Sequence, residues 1–154
     1  GGAKVAVLNL EGRVFMNNLE CPFRTADREI SQLYTETPII FVDFHAEATS
    51  EKASLGWYLD GRVSALIGTH THIQTADERI LPGGTAYLTD AGMTGGFDSV
   101  IGVKKEEAIT KFLSQLPVKF DVAKNNLRLN GVVVVVNEQT GKALSIERIN
   151  ICCE

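Results

Sequence analysis

The chain has 154 residues, 44% of them hydrophobic and 22% charged, a balance that is typical of a globular protein and excludes a disordered or fibrous chain. Fifteen Lys and Arg residues against nineteen Asp and Glu residues give a net charge of -4 without a basic cluster, so we expect no polymeric nucleic acid as a partner. The longest aliphatic run, Val132 to Val136, is far shorter than the roughly 20 residues of a membrane span, so we expect no membrane partner and a cytoplasmic location.

Strands and helices alternate over the first part of the chain. Apolar runs predict three buried strands, at residues 4–10, 39–44 and 63–68. Apolar residues at helical spacing predict two helices between them, one that begins at Thr25 or Asp27 and reaches Glu36, and one at residues 51–59. This order predicts the fold class as α/β, with a layered core.

The second part of the chain is richer in glycine and has shorter apolar pieces. Residues 69–103 therefore predict short strands and loops. An amphipathic helix is predicted next, followed by strands joined by one tight turn; these elements are the helix at 104–116, the strands at 119–123, 126–137 and 143–151, and the turn at 138–141. Because no linker or repeat interrupts the pattern, we expect one domain over residues 1–154.

All three histidines lie close to the predicted ends of strands. His45 follows the second strand, and His70 and His72 follow the third. Open α/β sheets place ligands at the carboxyl ends of their strands, and alternate spacing puts His70 and His72 on one side of an extended backbone. The pattern predicts that His45, His70 and His72 bind metal, since neutral imidazole suits zinc, iron, manganese or nickel.

Alternatives remain open for the neighbouring carboxylates. Asp43 and Glu47 could orient His45, but Glu47 could equally cap the following helix. Asp90 and Asp98 flank the glycine-rich stretch 92–96 and are interpreted as turn-forming residues, with a catalytic role as the alternative; the stretch lacks the lysine and the spacing of a P-loop. The sequence predicts no catalytic residue and no cofactor-binding residue beyond the metal ligands.

The cysteines do not form a disulfide framework. Cys21 stands alone, and Cys152 and Cys153 are adjacent near the end of the chain. An odd number of cysteines without metal-ligand spacing predicts free thiols, which agrees with a reducing compartment.

Four stretches together resemble the YmdB-like family of bacterial metallophosphoesterases: Asp43 to Lys52, Gly56 to Ala65, Gly68 to Pro82 and Thr89 to Gly95. The resemblance extends from about Lys4 to Ile151. It implies a calcineurin-like α/β/β/α sandwich, a centre of two divalent metal ions, described as iron, manganese or zinc, and hydrolysis of 2',3'-cyclic nucleotides or related small phosphodiesters. Under this resemblance His45 and His70 share one metal, and His72 binds the other.

The resemblance also implies a further N-terminal segment with the remaining ligands, namely an Asp, a Glu-Asn pair and an Asn-His pair. We therefore expect residues 1–154 to be the C-terminal part of a metallophosphoesterase domain that lacks its N-terminal strands and helices, and to be inactive or nearly so alone. Alternatives are a noncatalytic metal-binding or interaction module and a capsule-synthesis-like member of the same superfamily. Homo-oligomerisation is left open.

Overall fold

The computed structural model describes residues 2–153 and confirms the α/β class. Its elements in chain order are β1 Ala6–Glu11, α1 Pro22–Leu33, β2 Ile40–His45, α2 Thr49–Tyr58, β3 Ala65–Thr69, β4 Arg79–Ile80, β5 Ala86–Leu88, β6 Thr94–Gly96, β7 Ser99–Val100, β8 Val103–Lys104, α3 Lys105–Ser114, β9 Leu127–Val136 and β10 Ala143–Cys152.

The first sheet has the strand order β1-β2-β3-β5-β4, in which the first four strands are parallel and β4 is antiparallel to β5. Its register pairs His45 with Glu11 on one side and with Thr69 on the other. The carboxyl ends of β1, β2 and β3 therefore meet at one edge of the sheet, where open α/β sheets bind ligands.

The two faces of this sheet have different coverings. Ile40, Val42 and Phe44 of β2 are buried in one core with residues of α1 and α2. Because successive side chains of a strand point to opposite faces, Asp43 and His45 lie on the other face. The helices thus cover one face and leave the polar residues at the end of β2 on the opposite one.

A second sheet, with the order β10-β9-β6, packs against that opposite face. Ala143 at the start of β10 is buried with Ala65 and Ala86 of the first sheet. The predicted turn between β9 and β10 is confirmed, with the amide of Gly141 donating to the carbonyl of Asn137 at 2.8 Å. Gly141 has a φ of 70°, and a side chain there would overlap the carbonyl oxygen of Pro38.

Three predicted elements differ from the structure. Helix α1 begins at Pro22, earlier than expected, because proline is favoured in the first turn, where its missing N–H is not needed. The predicted strand at 119–123 is wrong, since in the described chain this segment forms an isolated bridge that joins Val122 to Val103. Most apolar residues of α3 do not face a core: Ala108 is buried, but Phe112 is 72% exposed and Leu113 is 82% exposed.

Among the described residues, no helix combines the length and the apolar character needed to cross a membrane.

Candidate metal centre

Two of the three histidines meet at the carboxyl edge of the first sheet. His45 is the last residue of β2, and His70 follows directly after β3. Nε2 of His45 lies 3.0 Å from Nδ1 of His70, and the two rings pack edge to face. Two nitrogens that bind one metal at about 2.0–2.1 Å lie no more than about 4 Å apart, so this spacing is compatible with a shared ion.

The partners of His45 fix which of its ring nitrogens carries the proton. The hydroxyl of Thr69 donates to the carboxylate of Asp43 at 2.8 Å and so has no hydrogen left for His45. Nδ1 of His45, 3.1 Å from the same hydroxyl, must therefore donate to it. The amide of Asn9 holds the other carboxylate oxygen of Asp43 at 2.8 Å. This chain of contacts leaves the lone pair of His45 on Nε2, which faces His70.

His70 contacts an acidic residue on its far side. Oε2 of Glu47 lies 3.0 Å from Nε2 of His70. Between the rings, Nδ1 of His70 faces the lone pair on Nε2 of His45, so a proton or a cation must lie between the two nitrogens. A metal in place of that proton requires the proton of His70 to move to Nε2, where Glu47 is within reach to accept a hydrogen bond from it. The pair is thus suited to hold either one proton or one cation.

The backbone around His70 and His72 is not extended, contrary to the expectation from their alternate spacing. His70 has a φ of 104° and His72 a φ of 66°, values that residues other than glycine rarely adopt. Such conformations cost about 1–3 kcal/mol each and persist only where the surroundings hold them. Their side chains therefore point toward different partners instead of lying side by side.

His72 is exposed and contacts the loop that precedes β8. Its Nδ1 lies 2.8 Å from the carbonyl oxygen of Ile101, which can only accept, so Nδ1 carries the proton and Nε2 keeps its lone pair. Within residues 2–153, the structure contains no set of three His, Cys, Asp or Glu side chains grouped to hold one metal ion. The structure thus brings His45 and His70 together, and the joint metal site with His72 stays a prediction.

A buried ion pair lies beneath this loop, and the sequence patterns did not indicate it. Nζ of Lys52 is 2.7 Å from Oδ2 of Asp90, and both side chains are fully buried. The sequence suggested a turn role or a catalytic role for Asp90, and lysine is almost never buried without a partner. One signal was present in the sequence: Lys52 shares the 3–4 residue spacing of the buried Leu55, Gly56 and Leu59.

Glu51 is a second side chain that the sequence did not reveal. Its carboxylate accepts hydrogen bonds from the backbone amides of Arg13 and Val14, at 3.0–3.1 Å. The amide of Gly12 donates to the carbonyl of His45 at 2.9 Å. A Cβ at Gly12 would lie 2.6 Å from both Ala46 and Glu51, so only glycine allows this close approach. Glu51 therefore fixes the loop after β1 beside the end of β2.

The remaining candidates make no described hydrogen bond to His45 or His70. All three cysteines are free thiols, as expected, and Cys152 and Cys153 are exposed. The pKa of Cys21 lies below its ordinary value, mainly because the backbone amide of Arg24 hydrogen-bonds the thiolate. Asp98 accepts a hydrogen bond from Asn126 at 3.3 Å, which agrees with a surface turn.

The chain is similar to known proteins over nearly its whole length. A family model described as "YmdB-like protein" matches residues 1–149. A Bacillus subtilis (strain 168) protein named 2',3'-cyclic-nucleotide 2'-phosphodiesterase is 56% identical over 150 residues, which are 97% of this chain and 57% of the relative.

Two solved structures share the fold. The crystal structure of a hypothetical protein from Thermus thermophilus has a TM-score of 0.92 and 39% identity, and the match covers 99% of this chain and 59% of that one. The crystal structure of a novel phosphatase from Mycoplasma pneumoniae has a TM-score of 0.86 and 40% identity, and the match covers 95% of this chain and 52% of that one. The chain thus spans just over half the length of the relatives it matches.

Proposed function

The chain belongs to the YmdB-like protein family, and from this we propose that it is the C-terminal part of a metal-dependent phosphodiesterase domain. The proposal covers residues 1–154 as one domain, a small phosphodiester as substrate and divalent metal ions as cofactors. The family match over residues 1–149 favours this function over a capsule-synthesis-like one.

The contact between His45 and His70 is the observation that carries the proposal. A spacing of 3.0 Å between two ring nitrogens, one of them with its lone pair directed at the other, suits a cation that both can bind. A partly buried histidine pair with no metal role would need a proton between its rings at all times. The carboxylate of Glu47 lies beside Nε2 of His70, so the proton can be held on Nε2 when a metal lies between the rings.

The residues around the pair have distinct tasks in this proposal. Thr69 and Asp43 keep the proton of His45 on Nδ1 and so keep Nε2 available, as carboxylates and hydroxyls behind metal-binding histidines commonly do. With an ion between the rings, Glu47 would hold the proton of His70 at Nε2. When bound, divalent ions supply the activated water and the positive charge that phosphodiester hydrolysis requires.

His72 is proposed as a ligand of a second ion. The carbonyl of Ile101 holds the proton of His72 on Nδ1, so Nε2 of His72 is free. In the chain, His72 lies two residues after His70. Imidazole ligands suit iron, manganese and zinc, and the choice among these metals is part of the proposal. Three histidines cannot complete two coordination shells, so further ligands are needed, and the family resemblance implies an Asp, a Glu-Asn pair and an Asn-His pair in a preceding segment.

The substrate proposal rests on the Bacillus subtilis relative, whose name specifies 2',3'-cyclic nucleotides. We extend this to the present chain as a small cyclic phosphodiester. The free cysteines support a reducing, cytoplasmic environment for the reaction.

A noncatalytic metal-binding module is the second candidate, because the contact between His45 and His70 suits an ion whether or not a reaction follows. Metal content and hydrolysis separate the two functions. The chain alone, and a form that carries the preceding segment implied by the resemblance, are loaded with Mn²⁺ or Zn²⁺ and assayed with 2',3'-cyclic AMP and a chromogenic phosphodiester. The proposal expects chelator-sensitive hydrolysis by the longer form and little by the chain alone. Metal binding without hydrolysis in the longer form would favour the noncatalytic module.

A further inference from the structure

The fully buried pair of Lys52 and Asp90 has no part in the chemistry proposed above. Lys52 lies on α2, beneath the carboxyl edge of the first sheet. Asp90 lies in the connection that follows β5. Nζ of Lys52 lies 2.7 Å from Oδ2 of Asp90, and neither side chain has any exposed surface. Apolar residues of the same volume often stabilise a core as well as a buried ion pair does, so core stability alone does not explain the charges.

The pair instead makes hydrogen bonds to the backbone on both sides of His70. Nζ of Lys52 donates to the carbonyl of Thr69 at 2.7 Å. Oδ2 of Asp90 accepts from the amide of Thr71 at 3.0 Å. The residue before His70 and the residue after it are therefore both fastened to one charged unit.

Asp90 is itself held rigidly. Its Oδ1 accepts a hydrogen bond from the amide of Gly92 at 2.9 Å, and its backbone amide donates to the hydroxyl of Thr75 at 2.9 Å. The amide of Ala91 donates to the carbonyl of Gly68 at 2.8 Å. A side chain at Gly68 would overlap the carbonyl oxygen of Thr89, so the two segments approach as closely as backbone allows. The pair of Lys52 and Asp90 thus connects the backbone around His70 to the segment after β5, which is itself held in place.

The conformation of His70 requires such support. A φ of 104° is unfavourable for histidine, and a relaxed backbone would turn its ring away from His45. We infer that Lys52 and Asp90 are a positioning pair that holds the peptides flanking His70, so that its Nδ1 faces Nε2 of His45. In its consequence for metal affinity, this inference rests on the function proposed above.

Two variants test the inference. Asp90→Asn removes the charge and one acceptor while it keeps the shape of the side chain. Lys52→Met combined with Asp90→Leu removes both charges together, which avoids an unpaired buried charge and keeps the fold accessible. Asp60→Asn is the matched control, because the Asp60 carboxylate also holds a loop, through the amide of Gly83 at 2.7 Å, but at the opposite end of the sheet.

The first readout needs no metal. Amide exchange at Thr71 and the ring-nitrogen signals of His45 and His70 are measured by NMR in the wild-type chain and in each variant. We expect faster exchange at Thr71 and loss of the coupling between the rings in the double variant, with an unfolding midpoint near that of the wild type. Unchanged exchange and unchanged ring signals in that variant would overturn the inference, as would equal effects in Asp60→Asn.

The second readout is affinity for Zn²⁺ by calorimetry. Loss of residues that orient metal ligands weakens binding by about 10- to 100-fold, and we expect this in the double variant but not in Asp60→Asn. A double variant with normal stability and wild-type affinity would contradict the inference. If the wild-type chain binds no Zn²⁺ without the preceding segment, the same titration in the longer form tests the metal pair, while the exchange and ring signals still decide the role of Lys52 and Asp90.

Discussion

Nε2 of His45 lies 3.0 Å from Nδ1 of His70, although the two residues belong to different strand ends. The parallel pairing of β2 with β3 places His45 opposite Thr69, the residue directly before His70. The strained turn at His70 then directs its ring back toward β2. A short contact between two distant residues therefore follows from sheet register and one local backbone conformation.

Removal of either ring is expected to abolish the shared site. We predict that His70→Ala weakens Zn²⁺ binding to the chain by at least about 100-fold, since a lost ligand affects the metal more than a lost supporting residue does. In a longer, active form the same change should reduce phosphodiester hydrolysis by orders of magnitude. Cys152→Ala is the control, because Cys152 is exposed and lies at the end of β10, in the second sheet. Equal affinities of the two variants would contradict the prediction.

The hydroxyl of Thr69 is expected to matter for metal binding and not for folding. Thr69→Val removes the link between Asp43 and His45 while it keeps the shape of the side chain. We expect Zn²⁺ affinity to fall by about 10- to 100-fold, because His45 is then free to place its proton on Nε2. Calorimetry measures the affinity. Thr110→Val on α3, where the hydroxyl donates to the helix backbone at Glu106, should leave affinity unchanged.

Asp27 is expected to make stability depend on pH in the acid range. The hydroxyl of Tyr58 at 2.7 Å and then the guanidinium of Arg62 at 2.6 Å hold the pKa of Asp27 below its ordinary value of 3.8. A lowered pKa in the folded state means that this contribution is present above the ordinary pKa and is lost as pH falls through the folded value. Asp27→Asn should therefore lower the unfolding midpoint at pH 7 and have a shrinking effect below about pH 4.

Thermal unfolding followed by circular dichroism from neutral to strongly acidic pH measures this difference. The matched control is Asp98→Asn, at a carboxylate with one long contact. A stability difference for Asp27→Asn that stays constant down to the lowest pH would show that the ionised carboxylate is not responsible.

The exposed edge of β1 is expected to promote self-association. Among the described strands, β1 pairs only with β2, and Val7 is 73% exposed. Unpaired, apolar edge strands recruit other strands, and a charged residue on the edge suppresses this. We predict that Val7→Lys reduces association of the isolated chain in sedimentation experiments. Val133→Lys is the control, since Val133 is also exposed but lies in the central strand of its sheet. A wild-type chain that is monomeric over a wide concentration range would contradict the prediction.

The main strands of the first sheet were predicted well from the sequence, because an apolar run is a direct consequence of the burial of a strand's side chains. The runs around Val42 and Leu66 are apolar because helices cover one face of these parallel strands and the second sheet covers part of the other, and His45 stands at a strand end as expected. The strand expected around Val122 failed, because a short apolar run does not specify a partner strand.

The geometry of the site could be predicted only in part. Position relative to a strand end is visible in sequence, but the positive φ values of His70 and His72 arise from contacts made by other segments. The burial of Lys52 was not predicted, because lysine is rarely buried and its partner Asp90 is distant in sequence. Long-range pairing of this kind leaves almost no local signal.

Binding of one ion by both His45 and His70 is the central claim, and NMR of the imidazole nitrogens during titration with Zn²⁺ tests it most directly. Shared binding predicts that Nε2 of His45 and Nδ1 of His70 shift together at the same Zn²⁺ concentration, while Nδ1 of His45 keeps its proton. A shift of only one of the two nitrogens, or binding through Nδ1 of His45, would contradict it.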